Sequence, residues 1–313
     1  MALLALFVLA GYVAPFVLSR ALWPYRAPRL GVAAWLTLAA TCAVTAVFAI
    51  GTVALPAAVA GHGLADWWHA CLGQWRHYYG DANVVGVAVA GAVTVLLVGK
   101  LVYSAVSYRR NVVGFRRTHQ AGLSLLSFAG TRNVVVVPHP VPTAYCVPGR
   151  PGQVVMTDSA VRALSPEQVE AVVAHERAHL VGRHSLLVDI ATVLQRALGL
   201  IAPVFRCAAN ETAALVEMIA DEAAVAKCPA PSVADALFTL AQGAAPSTAL
   251  AASGPDLVRR VHRLISPPQP LGTLPRLATL VVLSLGVLGP AAAVVGPVAA
   301  AVVASTCAYS NHH

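Results

Sequence analysis

Charge is what this sequence has least of. Only 11% of its 313 residues are Asp, Glu, Lys or Arg, against roughly a quarter in an average soluble domain. Lys100 and Lys227 are its only lysines. So little charge cannot cover the surface of a water-soluble domain of this length, and a hydrophobic content of 58% agrees; the chain reads as a membrane protein. Acidic residues are scarcer than basic ones, 13 against 21. The formal charge of +8 would suit a nucleic-acid partner, but the arginines stand at the ends of apolar runs, where they read as topology markers. No direct nucleic-acid binding is expected. The six cysteines show no CxxC or other zinc-ribbon spacing, and no internal repeat is visible.

Long apolar runs are abundant. A helix needs about 20 apolar residues to cross the hydrocarbon core, which predicts spans at about 2–19, 31–55, 84–106 and 277–304. No positive charge precedes the first run, which argues against a cleaved signal peptide. Arg20, Arg26 and Arg29 follow it, and Arg109, Arg110, Arg116 and Arg117 follow the third. The loop at 61–83 carries only Arg76. Basic loops stay inside, so the N-terminus is expected outside, 20–29 inside, 61–83 outside and 107–275 in the cytoplasm. The organisation is therefore a membrane region over 1–106, a cytoplasmic domain over 107–275, and a fourth span with a short outer tail over 276–313. Trp67, Trp68, Trp75, Tyr78 and Tyr79 in the outer loop, and Trp23, Tyr25 and Trp35 at the inner end of the first hairpin, suit rings at headgroup level. Cys71 and Cys307 both fall outside, where a disulfide can form, whereas Cys146, Cys207 and Cys228 should be reduced. His62, His69 and His77 in the outer loop are spaced like ordinary surface residues.

Residues 107–275 break the membrane pattern. "NVVVVP", "TAYCV" and "GQVVMTD" are rich in β-branched residues and bounded by turn formers, so they read as strands. "AQGAAPSTALAASGP", 241–255, reads as a loop. A helix should begin at Ser165, with Pro166 in its first position and Gln168 completing a capping box. On it His175 and His179, four apart, leave one face. With Glu176 they form HExxH, the pattern in which two histidines hold zinc and the glutamate takes a proton from the attacking water. His184, nine residues after His175, would face away on a continuous helix and reads as a structural histidine at the helix end. The third ligand is expected downstream in "VEMIADEAA": Glu217 completes a His₂Glu set, and Asp221, one turn on, orients a ligand histidine. Glu211 and Glu222 compete for that place. The apolar run 186–205 is almost long enough to span, but crossing there would part Glu217 from His175, so it should not cross.

These residues, with "TAYCVPG" before "VVMTDSAV" and the pattern of spans, resemble the BlaR/MecR-type integral-membrane zinc metallopeptidases. A more distant likeness extends to the HtpX and CAAX-prenyl-protease type. The resemblance implies a mainly α membrane protein of about four transmembrane helices, with an α+β zincin-like (gluzincin) domain between the third and fourth. It implies one zinc ion held by His175, His179 and Glu217, with Glu176 as base. "SGPDLVRRVHRL" resembles a family segment in which an arginine, here Arg260, steadies an oxyanion; His262 is the alternative. It further implies a bacterial plasma-membrane protein that cleaves a cytosolic regulator such as a BlaI/MecI-like repressor. A homodimer is compatible with it. The better-known members carry an extracellular penicillin-binding sensor after the last span, and this sequence is expected to lack it. Composition adds that a substrate strand would pair with an edge containing Ala144 and Tyr145. The rival expectations are a quality-control protease for membrane proteins and a non-catalytic membrane scaffold.

Overall fold

The computed structural model describes residues 2–54, 88–114, 134–149, 151–244, 247–286 and 288–289. Residues 61–83, where an outer loop is expected, and Cys71, Cys307, Arg116, Arg117 and the second half of the fourth expected span lie outside the described residues.

The first membrane helix, α1, is α-helical over Ala2–Val8 and Ala14–Arg20, with a π-helical turn at Leu9–Val13 between them. Pro15 accounts for the widening, because its ring would clash with the carbonyl four residues back in a regular helix. After a one-turn helix at Trp23–Arg26 come α2, Pro28–Ala54, and α3, Ala88–Gly114. These three helices are long and apolar enough to cross a membrane. Helix α3 continues past the expected boundary at 106, so Arg109 and Arg110 belong to its last turns, where basic side chains suit the negative end of the helix dipole.

A three-stranded sheet follows: β1 (Val134–Val137), β2 (Ala144–Val147) and β3 (Gln153–Thr157), in the order β1-β3-β2. Strand β3 is central, parallel to β1 and antiparallel to β2. Its Val154, Val155 and Met156 are fully buried, and among the described residues β1 and β2 are the outer strands. The short helix α4 (Asp158–Ala163) is capped by Thr157. Helix α5 (Pro166–Val181) starts with the full Ser165–Gln168 capping box. Helices α6 (His184–Leu198), α7 (Val204–Val225), α8 (Ala230–Ala244) and α9 (Ser247–Ile265) complete the domain, and α10 (Thr273–Gly286) is the described part of the fourth apolar segment.

Two expectations need correction. The 241–255 stretch is largely not a loop: α8 runs to Ala244 and α9 begins at Ser247, because alanine is its commonest residue and favours helix strongly enough to carry Gly243, Ser253, Gly254 and Pro255 within the two helices. Trp35 is not an interfacial ring but lies wholly inside the largest core cluster. That cluster joins Ala10 of α1 and Val32, Trp35, Ala39 and Cys42 of α2 to Phe205, Leu215, Met218 and Ile219 of α7. The approach of α2 to α7 is close enough to require a glycine: a Cβ on Gly31 would lie 2.9 Å from Leu215 Cδ1 and from Pro24 Cβ.

The run 186–205 turns at Gly199–Ile201, and α7 packs against α6. The turn returns the chain to α5, which sets up the site.

Candidate metal centre

Helix α5 presents His175 and His179 one turn apart, and α7 brings Glu217 to them. His175 Nε2 lies 3.2 Å from His179 Nε2, His175 Nε2 lies 3.4 Å from Glu217 Oε2, and His179 Nε2 lies 3.5 Å from Glu217 Oε1. Bonds of about 2.0–2.1 Å to a tetrahedral zinc place neighbouring ligand atoms about 3.3–3.4 Å apart; the two imidazoles stand near that spacing, and Glu217 turns a different oxygen to each of them. Taking one ligand atom from each residue, the three lie within 4.8 Å of one another. The competing carboxylates are engaged elsewhere: Glu211 accepts from Tyr25 Oη at 2.8 Å, and Glu222 pairs with Arg263.

Behind the donors is a buried polar layer. Asp221, only 2% exposed, puts Oδ1 3.0 Å from His175 Nδ1, although the ring is turned so that this nitrogen lacks a well-aligned hydrogen bond. Arg260 reaches in from α9 and grips Asp221 with a fork, Nε to Oδ2 at 2.7 Å and Nη2 to Oδ1 at 2.8 Å. Its Nη1 stands 3.1 Å from Glu217 Oε2. Most of the guanidinium's donors are therefore spent on the carboxylates that hold the site, a bidentate use to which arginine is suited. His262, two residues on, is exposed on the other side of α9 and makes none of these contacts.

The electrostatics favour a cation. Burial alone would lower His175, but the carboxylates of Asp221 and Glu217 reverse this and hold it at about 9. Burial likewise works against ionising Glu217 and Asp221, yet His175 and Arg260 close beside them keep both at about 2. Desolvation takes His179 down to about 4, a neutral imidazole with a lone pair to give. Glu176 is raised above its ordinary value by burial, with His175 opposing. That direction brings a carboxylate nearer to the range of a useful general base.

Two features escaped the sequence reading. Cys146 on β2 faces Glu176, and its thiol is pushed up to about 12 by burial and by that carboxylate; nothing in the spacing of "TAYCV" links it to α5. His184 is buried and sits 3.1 Å, Nδ1 to Nδ1, from His179. The helix is not continuous there, since Arg183 adopts a left-handed conformation with φ 49°. The Gly182–Arg183 step was the available signal, because glycine commonly marks a helix end.

A cleft of about 860 Å³ opens beside the donors, lined by Tyr145, Cys146 and Val147 of β2, His179, Val188 of α6, Val216 and Glu217 of α7, and Tyr108 and Val112 of α3. A smaller cavity of about 150 Å³ is lined by His175, Glu176, Glu217, Leu237, Leu240 and Arg260. Glu217 belongs to both. Ala144 and Tyr145 are in β2, one of the two outer strands among the described residues, and Tyr145 borders the larger cleft.

His175, His179 and Glu217 group as a candidate His₂Glu metal site, with the half-buried carboxylate of Glu176 beside it. Residues 116–267 match the family model of peptidase family M48, which supports a metallopeptidase of that family; such enzymes depend on a metal, typically zinc. The match encloses every residue of the centre. No curated protein matched the chain.

Proposed function

We propose that this protein is an integral-membrane zinc endopeptidase that hydrolyses peptide bonds at the cytoplasmic face. The observation that carries the reading is the convergence of His175, His179 and Glu217, which bring one ligand atom each to within 4.8 Å of one another. The chemistry zinc supplies when bound is Lewis acidity, which makes water nucleophilic near neutral pH and polarises a carbonyl.

The chain's own residues do the rest. Glu176 takes the proton of the attacking water and returns it to the leaving amine. Asp221 fixes the His175 ring, and Arg260 holds Asp221 and Glu217 in place. A cation there can also attract a developing oxyanion, but only with a donor not already committed to those carboxylates. An extended substrate adds to β2 at Ala144 and Tyr145, main chain to main chain, and the cleft receives its side chains. His262 has no part in this scheme.

The resemblance to BlaR/MecR-type enzymes supports a signalling protease that cuts a cytosolic regulator, in a multi-pass plasma-membrane protein with its N-terminus outside. One observation favours the quality-control reading instead. Tyr108, Asn111 and Val112 of α3 wall the cleft, so a substrate strand on β2 would run beside a membrane helix, where a membrane-anchored chain is easily delivered. Comparing protein N-termini in cells carrying wild type or Glu176→Ala separates the two. New N-termini confined to a few cytosolic proteins support signalling, new N-termini spread over membrane proteins support quality control, and identical sets count against proteolysis.

A further inference from the structure

We propose that His184 is a positioning residue for the second metal ligand, accepting the Nδ1–H of His179 and so fixing the ring with Nε2 toward His175 and Glu217. The inference rests on the zinc reading above and concerns how the site is held.

Five residues along an unbroken helix turn a side chain by about 140°, so His179 and His184 would not meet there. They meet because the chain leaves the helix at Gly182, takes a left-handed step at Arg183 and starts α6 at His184. A left-handed arginine is unfavourable, and such a conformation persists only where its surroundings impose it. Room for the returning ring is provided as well: a Cβ on Gly182 would lie 2.3 Å from His184 Nε2 and 2.6 Å from its Cδ2. The ring is 3% exposed and meets His179 edge to face, with centroids 4.8 Å apart.

Proton placement then follows from the donor set. A neutral His179 that offers its Nε2 lone pair carries its proton on Nδ1. The atom 3.1 Å from that Nδ1 is His184 Nδ1, which must therefore be the acceptor, with the His184 proton on Nε2. His179 thus receives from a histidine the orienting contact that His175 receives from Asp221. Partners of this kind fix the tautomer and direction of a ligand ring, and their loss typically weakens metal binding about 10- to 100-fold.

The test compares two substitutions of similar shape in the full-length, detergent-solubilised protein. His184→Asn keeps an acceptor near the position of Nδ1; His184→Leu does not. Zinc affinity is measured by competition with a chelator, and the visible absorption of the cobalt-loaded protein reports the ligand geometry. The expected result is near wild-type affinity and spectrum for His184→Asn, with affinity about 10- to 100-fold weaker and an altered spectrum for His184→Leu. Gly182→Ala, which leaves every hydrogen-bonding group in place but intrudes on the ring, should weaken zinc binding too. Equal affinities for the Asn and Leu variants overturn the proposal, as does a Gly182→Ala protein that binds like wild type. A wild-type protein that binds no zinc overturns the metal centre itself.

Discussion

Glu176 is the residue on which the proposed chemistry turns, and it is not a ligand. Glu176→Ala should keep its zinc and lose about 10²- to 10⁴-fold in peptide hydrolysis, the usual weight of a general base; equal turnover of a cleavable peptide by the variant would rule the role out. His175 sets a pH dependence. It must be neutral to bind, and the carboxylates around it hold its proton up to about 9, whereas His179, at about 4, and Glu217, at about 2, are already in their binding forms at neutral pH. Below about 9 each zinc therefore displaces a proton from His175, and affinity should fall roughly tenfold per pH unit from 8 to 6. Chelator competition across that range measures it, and a flat profile contradicts the assignment. At this scale much of the centre was legible, because HExxH and ExxxD are local spacings on helix faces. Arg260 as a clamp on two carboxylates was not, since it depends on α9 packing over α7, a contact thirty-nine positions away in sequence.

Among the elements, α3 and α6 are joined by a hydrogen bond from Tyr108 Oη to Asp189 Oδ1 at 2.8 Å, with the Arg196 guanidinium 4.8 Å over the Tyr108 ring. The contact links the last turns of the apolar helix α3 to the helix that begins at His184. Tyr108→Phe should keep the ring contact, remove the hydrogen bond and lower stability by about 1 kcal/mol; a thermal melt of the purified protein reads this, and an unchanged midpoint would show that the bond contributes little. The strands could be read from sequence because runs such as "VVVV" offer few alternatives to a buried sheet. Order and direction within the sheet could not, being fixed by tertiary packing, and the π-helical turn before Pro15 needed the clash to be located in three dimensions. The 241–255 stretch misled for the opposite reason: its turn formers are conspicuous, but its alanines decide the backbone.

On the scale of the whole molecule, the peptidase helices are not simply tethered to the membrane helices. Helix α7 carries Glu217 and Asp221 and shares its buried face with α2 through Trp35, Leu215 and Met218. The sequence placed apolar spans before a polar domain and so hid this shared core, since a span buried against protein and one facing lipid have the same composition. Gly31→Ala should push α2 away from Leu215 and Pro24 and cost about 1–3 kcal/mol through overpacking, seen as a lower melting midpoint. The measurement that bears most directly on the account is the zinc content of purified wild type beside Glu217→Ala. About one zinc per chain in wild type, largely lost in the variant, is the predicted result. A wild type without zinc, or a variant that holds it as well, would contradict the metal centre and the hydrolytic function built on it.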